Sequence, residues 1–137
     1  MEYTFQYPSH IQEISRIRND LAFLEKEWTL PPSDSRQILL IIEELFSNIV
    51  RYAFDDILEH SVAVCLSLSE GEIMIDMIDD GIPFNPLEYD SAPSSDPATS
   101  DAGGMGLTLI SAFANTISYS RNSGKNHLII TKRVKTK

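Results

Sequence analysis

The sequence has a single cysteine, Cys65, so no disulfide can close within the chain and no cysteine-based zinc site can be built. It has no apolar run near the roughly 20 residues that a membrane span requires. The opening stretch MEYTFQYPSH lacks the basic start and apolar block of a signal peptide. Together these absences make a reducing, cytoplasmic setting the expectation, with no membrane partner. Positive charge is scarce: 11 Lys and Arg stand against 20 Asp and Glu, for a net charge of −9. A nucleic-acid partner requires a basic face to neutralise phosphates, so the balance argues against direct nucleic-acid binding. The closing KRVKTK is a small basic end, read as solvated. Internal repeats are also lacking.

What is present is ordinary for a globular protein: 137 residues, 42% hydrophobic and 23% charged. This is the size of one domain, expected to span residues 1–137 and to bury about two-thirds of its unfolded surface. EYTFQYP alternates Tyr3, Phe5 and Tyr7 against Thr4 and Gln6, the pattern of a strand. Ser9 can cap a helix carrying Ile11, Ile14, Ile17, Leu21, Leu24 and Trp28 at helical spacing. Pro31 and Pro32 stop that helix, and Ser33 or Asp34 can cap a second one running to about Phe54. SVAVCLSL and EIMIDMIDD, joined by Glu70-Gly71, form a hairpin. A polar interval rich in Pro, Ser, Asp and Ala follows over residues 85–103, and a loop of this length inside one domain reads as a lid. GMGLTLISAFA resumes as helix, and TISYSR and HLIITKRV close as strands joined by NSGKN. The order predicts an α+β fold: a two-layer α/β sandwich whose mixed, mostly antiparallel sheet is covered on one face by helices.

Three stretches carry candidate chemistry. In IIEELFSNIVRYAF (residues 41–54), Glu44 and Asn48 lie one helical turn apart on one face, near Ile41, Leu45 and Tyr52. A carboxylate can act as a general base and an amide oxygen can ligate Mg²⁺. Glu43 is rotated about 100° away and reads as a solvated charge. Alone, this stretch reads better as an ordinary helix whose glutamates reach water and whose Asn48 bonds nearby backbone. In EIMIDMIDDGIPF, period two puts Ile73, Ile75, Met77 and Asp79 on one face, so Asp79 ends an apolar row. A carboxylate there is paired or meets a ligand donor such as an exocyclic amine. The competing reading is a plain turn, with Asp79 bonding the Gly81 backbone. Gly81 permits a close approach of backbone and ligand, and Pro83 stiffens the exit. GGMG places Gly103, Gly104 and Gly106 before a helix, freeing N–H groups toward an anion. It is neither the Walker nor the dinucleotide pattern, and by itself a glycine cluster can equally be a hinge.

Taken in order, E-E-L-F-S-N-I-V-R-Y-A, D-D-G-I-P-F-N-P and G-G-M-G-L-T-L-I resemble the Bergerat-type (GHKL) ATP-binding fold, and most nearly the anti-sigma-factor serine kinases. The resemblance covers nearly the whole chain. It implies ATP and Mg²⁺ as cofactors, with Asn48 coordinating the metal and Glu44 as catalytic base. It also implies that Asp79 accepts from the adenine amino group, that Gly81 shapes the adenine pocket, and that Gly104 and Gly106 receive phosphates. Residues 85–102 correspond to the ATP lid. The implied partners are a sigma factor and an anti-sigma antagonist of the STAS type, and a homodimer is implied by the resemblance alone. One departure stands out: from Asn85 to Met105 there is no Lys or Arg, whereas lids of this family usually carry a basic residue. Phosphate charge is then met by Mg²⁺, backbone N–H groups or Arg51.

Three functions fit these residues. The first is an ATP-dependent protein serine kinase of the anti-sigma type. The second is a nucleotide-gated partner-switching module with little or no transferase activity. The third is a catalytic domain of a histidine kinase, against which stand the absence of a phospho-acceptor helix pair ahead of the motifs and the form of DDGIPF and GGMGLTLI.

Overall fold

The structure is a computed structural model, described here over residues 1–56, 58–86 and 110–135. Strand β1 (Glu2–Pro8) leads through a 3-10 turn (Ile11–Glu13) into helix α1 (Ile14–Glu27) and then helix α2 (Pro32–Tyr52). Strands β2 (Ser61–Ser69), β3 (Glu72–Asp79), β4 (Thr116–Asn122) and β5 (Lys125–Arg133) follow. The sheet order is β1-β2-β3-β5-β4, and all of these neighbours pair antiparallel. The expected α+β two-layer architecture is therefore present, with a sheet antiparallel throughout among the described residues.

Alternation builds the core. Val62, Val64 and Leu66 of β2, Ile73, Ile75 and Met77 of β3, and Leu128 and Ile130 of β5 are buried on the helix-covered face. Helix α2 answers with Ile38, Ile41, Ile42, Leu45, Phe46 and Ile49, and α1 with Ile17, Leu21 and Leu24. Each such side chain contributes roughly 1.5–3 kcal/mol by leaving water. Both hairpins turn on two residues of positive φ: Glu70 (52°) with Gly71 (76°), and Ser123 (53°) with Gly124 (74°). Paired left-handed residues match the right-handed twist of the flanking strands, which makes these the favoured two-residue hairpin loops.

Helix ends depart from the expected caps. Ser9 caps nothing: its Oγ accepts from the His60 amide at 3.1 Å, while its own N–H donates to the His60 carbonyl at 2.8 Å. The hydroxyl is thus spent in joining β1 to β2. Helix α2 begins at Pro32 with Pro31 as N-cap and no side-chain cap. Proline's fixed φ suits a first helical position, where its missing N–H costs nothing. Asp34 instead accepts from the Lys135 amide at 3.0 Å. Helix α1 ends ahead of the prolines, where Thr29 takes φ 52° and the Leu30 N–H donates to the Glu25 carbonyl at 2.9 Å. Cys65 is unpaired, and among the described residues no helix is long and apolar enough to cross a membrane.

Beyond α2 the chain is clasped by charge. His60 stacks on Phe54, with centroids 4.4 Å apart, and its ring nitrogens lie 2.7 Å from Asp56 Oδ1 and 3.2 Å from Asp80 Oδ1. The bond to Asp56 is the main reason the imidazole sits above its ordinary value of 6.5. The same bond holds Asp56 below its ordinary 3.8. A raised histidine contributes stability in full below its unfolded value, and this is lost as pH climbs through the folded one. A depressed aspartate contributes above its unfolded value, and this is lost as pH falls through the folded one. The clasp therefore acts in mildly acidic solution and fades on alkalinisation. In thermal melts, the Tm gap between the wild type and His60→Gln should shrink between about pH 5.5 and about pH 8.5. A gap constant over that range would show that the ion pairs contribute nothing.

Candidate functional site

The apolar rows of β3 and β5 both end in polar residues at the same edge of the core. Asp79 closes the row of β3, Asn126 opens that of β5, and the two are register partners. Both are buried, at 3% and 1% exposure. Asp79 Oδ1 accepts from the Gly81 N–H at 2.9 Å and from Asn126 Nδ2 at 2.9 Å. The turn contact weighed as the plain alternative is thus real, yet it uses only one carboxylate oxygen. No described residue bonds Oδ2. Burial pushes the Asp79 carboxyl above the ordinary range; the Asn126 and Gly81 bonds oppose this, with Asp80 raising it further and Arg121 lowering it.

The loop after Asp79 is tied down from three sides. The Ile82 N–H donates to the carbonyl of Ala53, just past α2, at 2.7 Å. Arg121 of β4 donates to the Gly81 carbonyl at 2.7 Å. Asn126 donates to the Ile82 carbonyl at 2.7 Å and accepts from the Phe84 N–H at 3.3 Å. Tyr52, the last residue of α2, sets its ring 5.8 Å from that of Phe84. The demand for glycine at 81 comes from this packing. A Cβ there would lie 2.1 Å from the Ala53 carbonyl oxygen, so helix, rather than ligand, makes the close approach.

Helix α2 sorts its polar residues by depth. Glu43 is not the free solvated charge its position suggested, because Arg18 of α1 donates to Oε1 at 2.6 Å. Glu44 is half-buried, and Asn48 one turn on is buried at 3% exposure. Asn48 Oδ1 finds no hydrogen-bond partner among the described residues. A buried amide oxygen left unbonded costs about 1–3 kcal/mol, so its presence signals a bond made to something else. This oxygen and the unengaged oxygen of Asp79 are the observations that fit a bound nucleotide and metal. Arg51 is exposed. Gly104 and Gly106, with Gly103 and nearly all of the lid expected over 85–102, lie outside the described residues; residues 110–113 are helical.

Asn126 escaped the sequence reading because NSGKN reads as one turn. The turn is only Ser123-Gly124, so β5 starts at Lys125. The alternation Asn126, Leu128, Ile130, Lys132, buried at every position, was the signal that could have found it.

These features are those of a nucleotide-binding two-layer fold, and the chain belongs to the histidine kinase-like ATPase domain family, whose model matches residues 7–132. ATP is the nucleotide this membership implies. Among individual proteins, the chain is 34% identical over 99 residues to the serine/threonine-protein kinase BtrW of Bordetella bronchiseptica, covering 69% of this chain and 67% of that one. The fold is shared with the RsbU and RsbW domains of Rv1364c from Mycobacterium tuberculosis, at a TM-score of 0.71 and 17% identity. That match covers all of this chain, which spans 33% of the larger one. It is shared also with the SiaB–SiaC complex of Pseudomonas aeruginosa, at 0.54 and 14% identity, covering 95% of this chain and 88% of that one.

Adding one methyl at Gly81 tests the packing described above. Gly81→Ala must push the loop off Ala53 and should destabilise the fold by about 1–3 kcal/mol in urea titration. Unchanged stability would mean that the loop and α2 are not in contact in solution.

Proposed function

We propose that the chain is an ATP-dependent protein serine kinase of the anti-sigma type, acting as one domain over residues 1–137 in the cytoplasm. It binds a sigma factor and phosphorylates a STAS-type antagonist, and a homodimer is the form implied by its resemblance to that group. The observation that carries the reading is the buried Asn48 oxygen, without a partner among the described residues, one helical turn beyond Glu44. Asn48 holds Mg²⁺, Glu44 takes the proton of the acceptor serine, and Asp79 receives the adenine amino group. Gly81 shapes the adenine pocket, while Gly104 and Gly106 present backbone N–H groups to the phosphates. Bound Mg²⁺ would supply the charge neutralisation that phosphoryl transfer requires. The chain's own work is then positioning. Helix α2 holds base and metal ligand on one face, and the end of β3 fixes the base-binding carboxylate. The similarity to BtrW supports a serine or threonine acceptor.

A second reading rests on a specific feature, the absence of Lys and Arg between Asn85 and Met105. With no basic side chain there to reach the phosphates, the protein would act as a nucleotide-gated partner switch with little transfer activity. Calorimetry with Mg²⁺ present should show ATP binding to the wild type, and Asn48→Ala should remove its metal-dependent part. Absence of ATP affinity in the wild type would sink both readings. Glu44→Ala should leave ATP affinity nearly intact and slow phosphotransfer to a cognate antagonist about 10²–10⁴-fold. Unchanged transfer would overturn the role of Glu44. If ATP binds and no antagonist is ever phosphorylated, the switch reading stands.

A further inference from the structure

Asn126 makes more hydrogen bonds than any function so far described explains. Nδ2 donates to Asp79 Oδ1 and the Ile82 carbonyl, while Oδ1 accepts from the Tyr119 hydroxyl, from Arg121 at 3.1 Å and from the Phe84 N–H. These contacts agree on one orientation of the amide. Reversed, its NH₂ would face the Arg121 guanidinium and the Phe84 N–H, and its oxygen would face a carboxylate. Arg121 and Tyr119 thus lock the amide so that a donor always points at Asp79.

We propose that Asn126 is a positioning residue that sets nucleobase choice: its locked amide donates to one oxygen of Asp79 and leaves the other oxygen as the acceptor for an exocyclic amine. The inference rests on the reading of Asp79 as the adenine acceptor. An ionised carboxylate accepts from the amino group of adenine and repels the carbonyl oxygen that guanine carries in its place. Burial pulls the other way, because a desolvated carboxyl tends to take up a proton. A protonated Asp79 could donate to that guanine oxygen, and discrimination would fall. The charged groups surrounding Asp79 do not substitute for Asn126. Asp80 follows it just past the end of β3 and favours protonation, while Arg121 on β4 is engaged by Gly81 and Asn126. Lys125 at the head of β5 is exposed, and His60 bonds Asp80.

The test measures ATP and GTP dissociation constants across pH for the full chain, with Mg²⁺, in wild type, Asn126→Leu, Asn126→Ser and Tyr119→Phe. Asn126→Leu removes the donor and should cut the ATP-over-GTP preference on the order of tenfold. The acid midpoint for ATP binding should rise by about one pH unit. Should that variant not fold, Asn126→Ser retains a hydroxyl donor and should show the same changes at smaller size. Tyr119→Phe removes one of the bonds that lock the amide but leaves the Nδ2 donor and Arg121 in place, and should shift preference and midpoint less than Asn126→Leu. If both Asn126 variants weaken ATP and GTP equally with the midpoint unmoved, Asn126 is merely structural and the inference is overturned, with ATP binding intact. If wild type binds no ATP, the adenine reading falls and the inference with it.

Discussion

A carboxylate inside an apolar row is the constraint around which this molecule is arranged. Asp79 ends the buried face of β3, where a charge removed from water is costly unless it is bonded. The chain answers from two directions, with the backbone of Gly81 two residues on and with Asn126 from the neighbouring strand. Meeting that demand fixes much else. The second donor requires β5 to pair with β3 in the register that sets Asn126 opposite Asp79. The first requires a sharp turn into Gly81, and that turn brings the backbone against Ala53, where no side chain fits. Sheet register, loop path and the end of α2 all meet at this one buried carboxyl.

The polar groups of α2 show the same accounting with a different result. Glu43, near the surface, finds Arg18. Asn48, deeper, keeps an oxygen that no described residue bonds. Natural proteins rarely leave such an atom orphaned, and where they do the cause is commonly a ligand, an ion or a water. This amide oxygen on α2 and the second carboxylate oxygen of Asp79 are both acceptors that no described residue engages. Under the function proposed above, a metal–nucleotide complex would engage both.

Much of the architecture was legible from local pattern. Alternation in SVAVCLSL and EIMIDMIDD identified two strands, because burial on a single face acts residue by residue with period two. The helical spacing of Ile17, Leu21, Leu24 and Trp28 was equally plain, since the same side chains that mark the period do the packing. Caps were not legible. Ser9 has the chemistry of a cap, but the competing use of its hydroxyl is at His60, 51 residues away, and nothing nearby in the chain signals it. Glu43 has the pattern of a solvated residue, yet its partner lies on another helix.

The sequence by itself determined the order of elements, the buried faces and three polar motifs, because propensity, periodicity and turn chemistry operate over a few neighbouring residues. It also placed Glu44, Asn48 and Asp79 on the faces they occupy. Only the tertiary structure decided what those groups meet. It brought Asn126 and Arg121 to Asp79, assigned the need for glycine at 81 to the Ala53 carbonyl, and left the Asn48 amide oxygen without a partner among the described residues. Hydrogen bonds between distant segments depend on strand register, and register is a property of the assembled sheet. A two-residue shift in where a turn is thought to end was enough to hide Asn126 among loop residues.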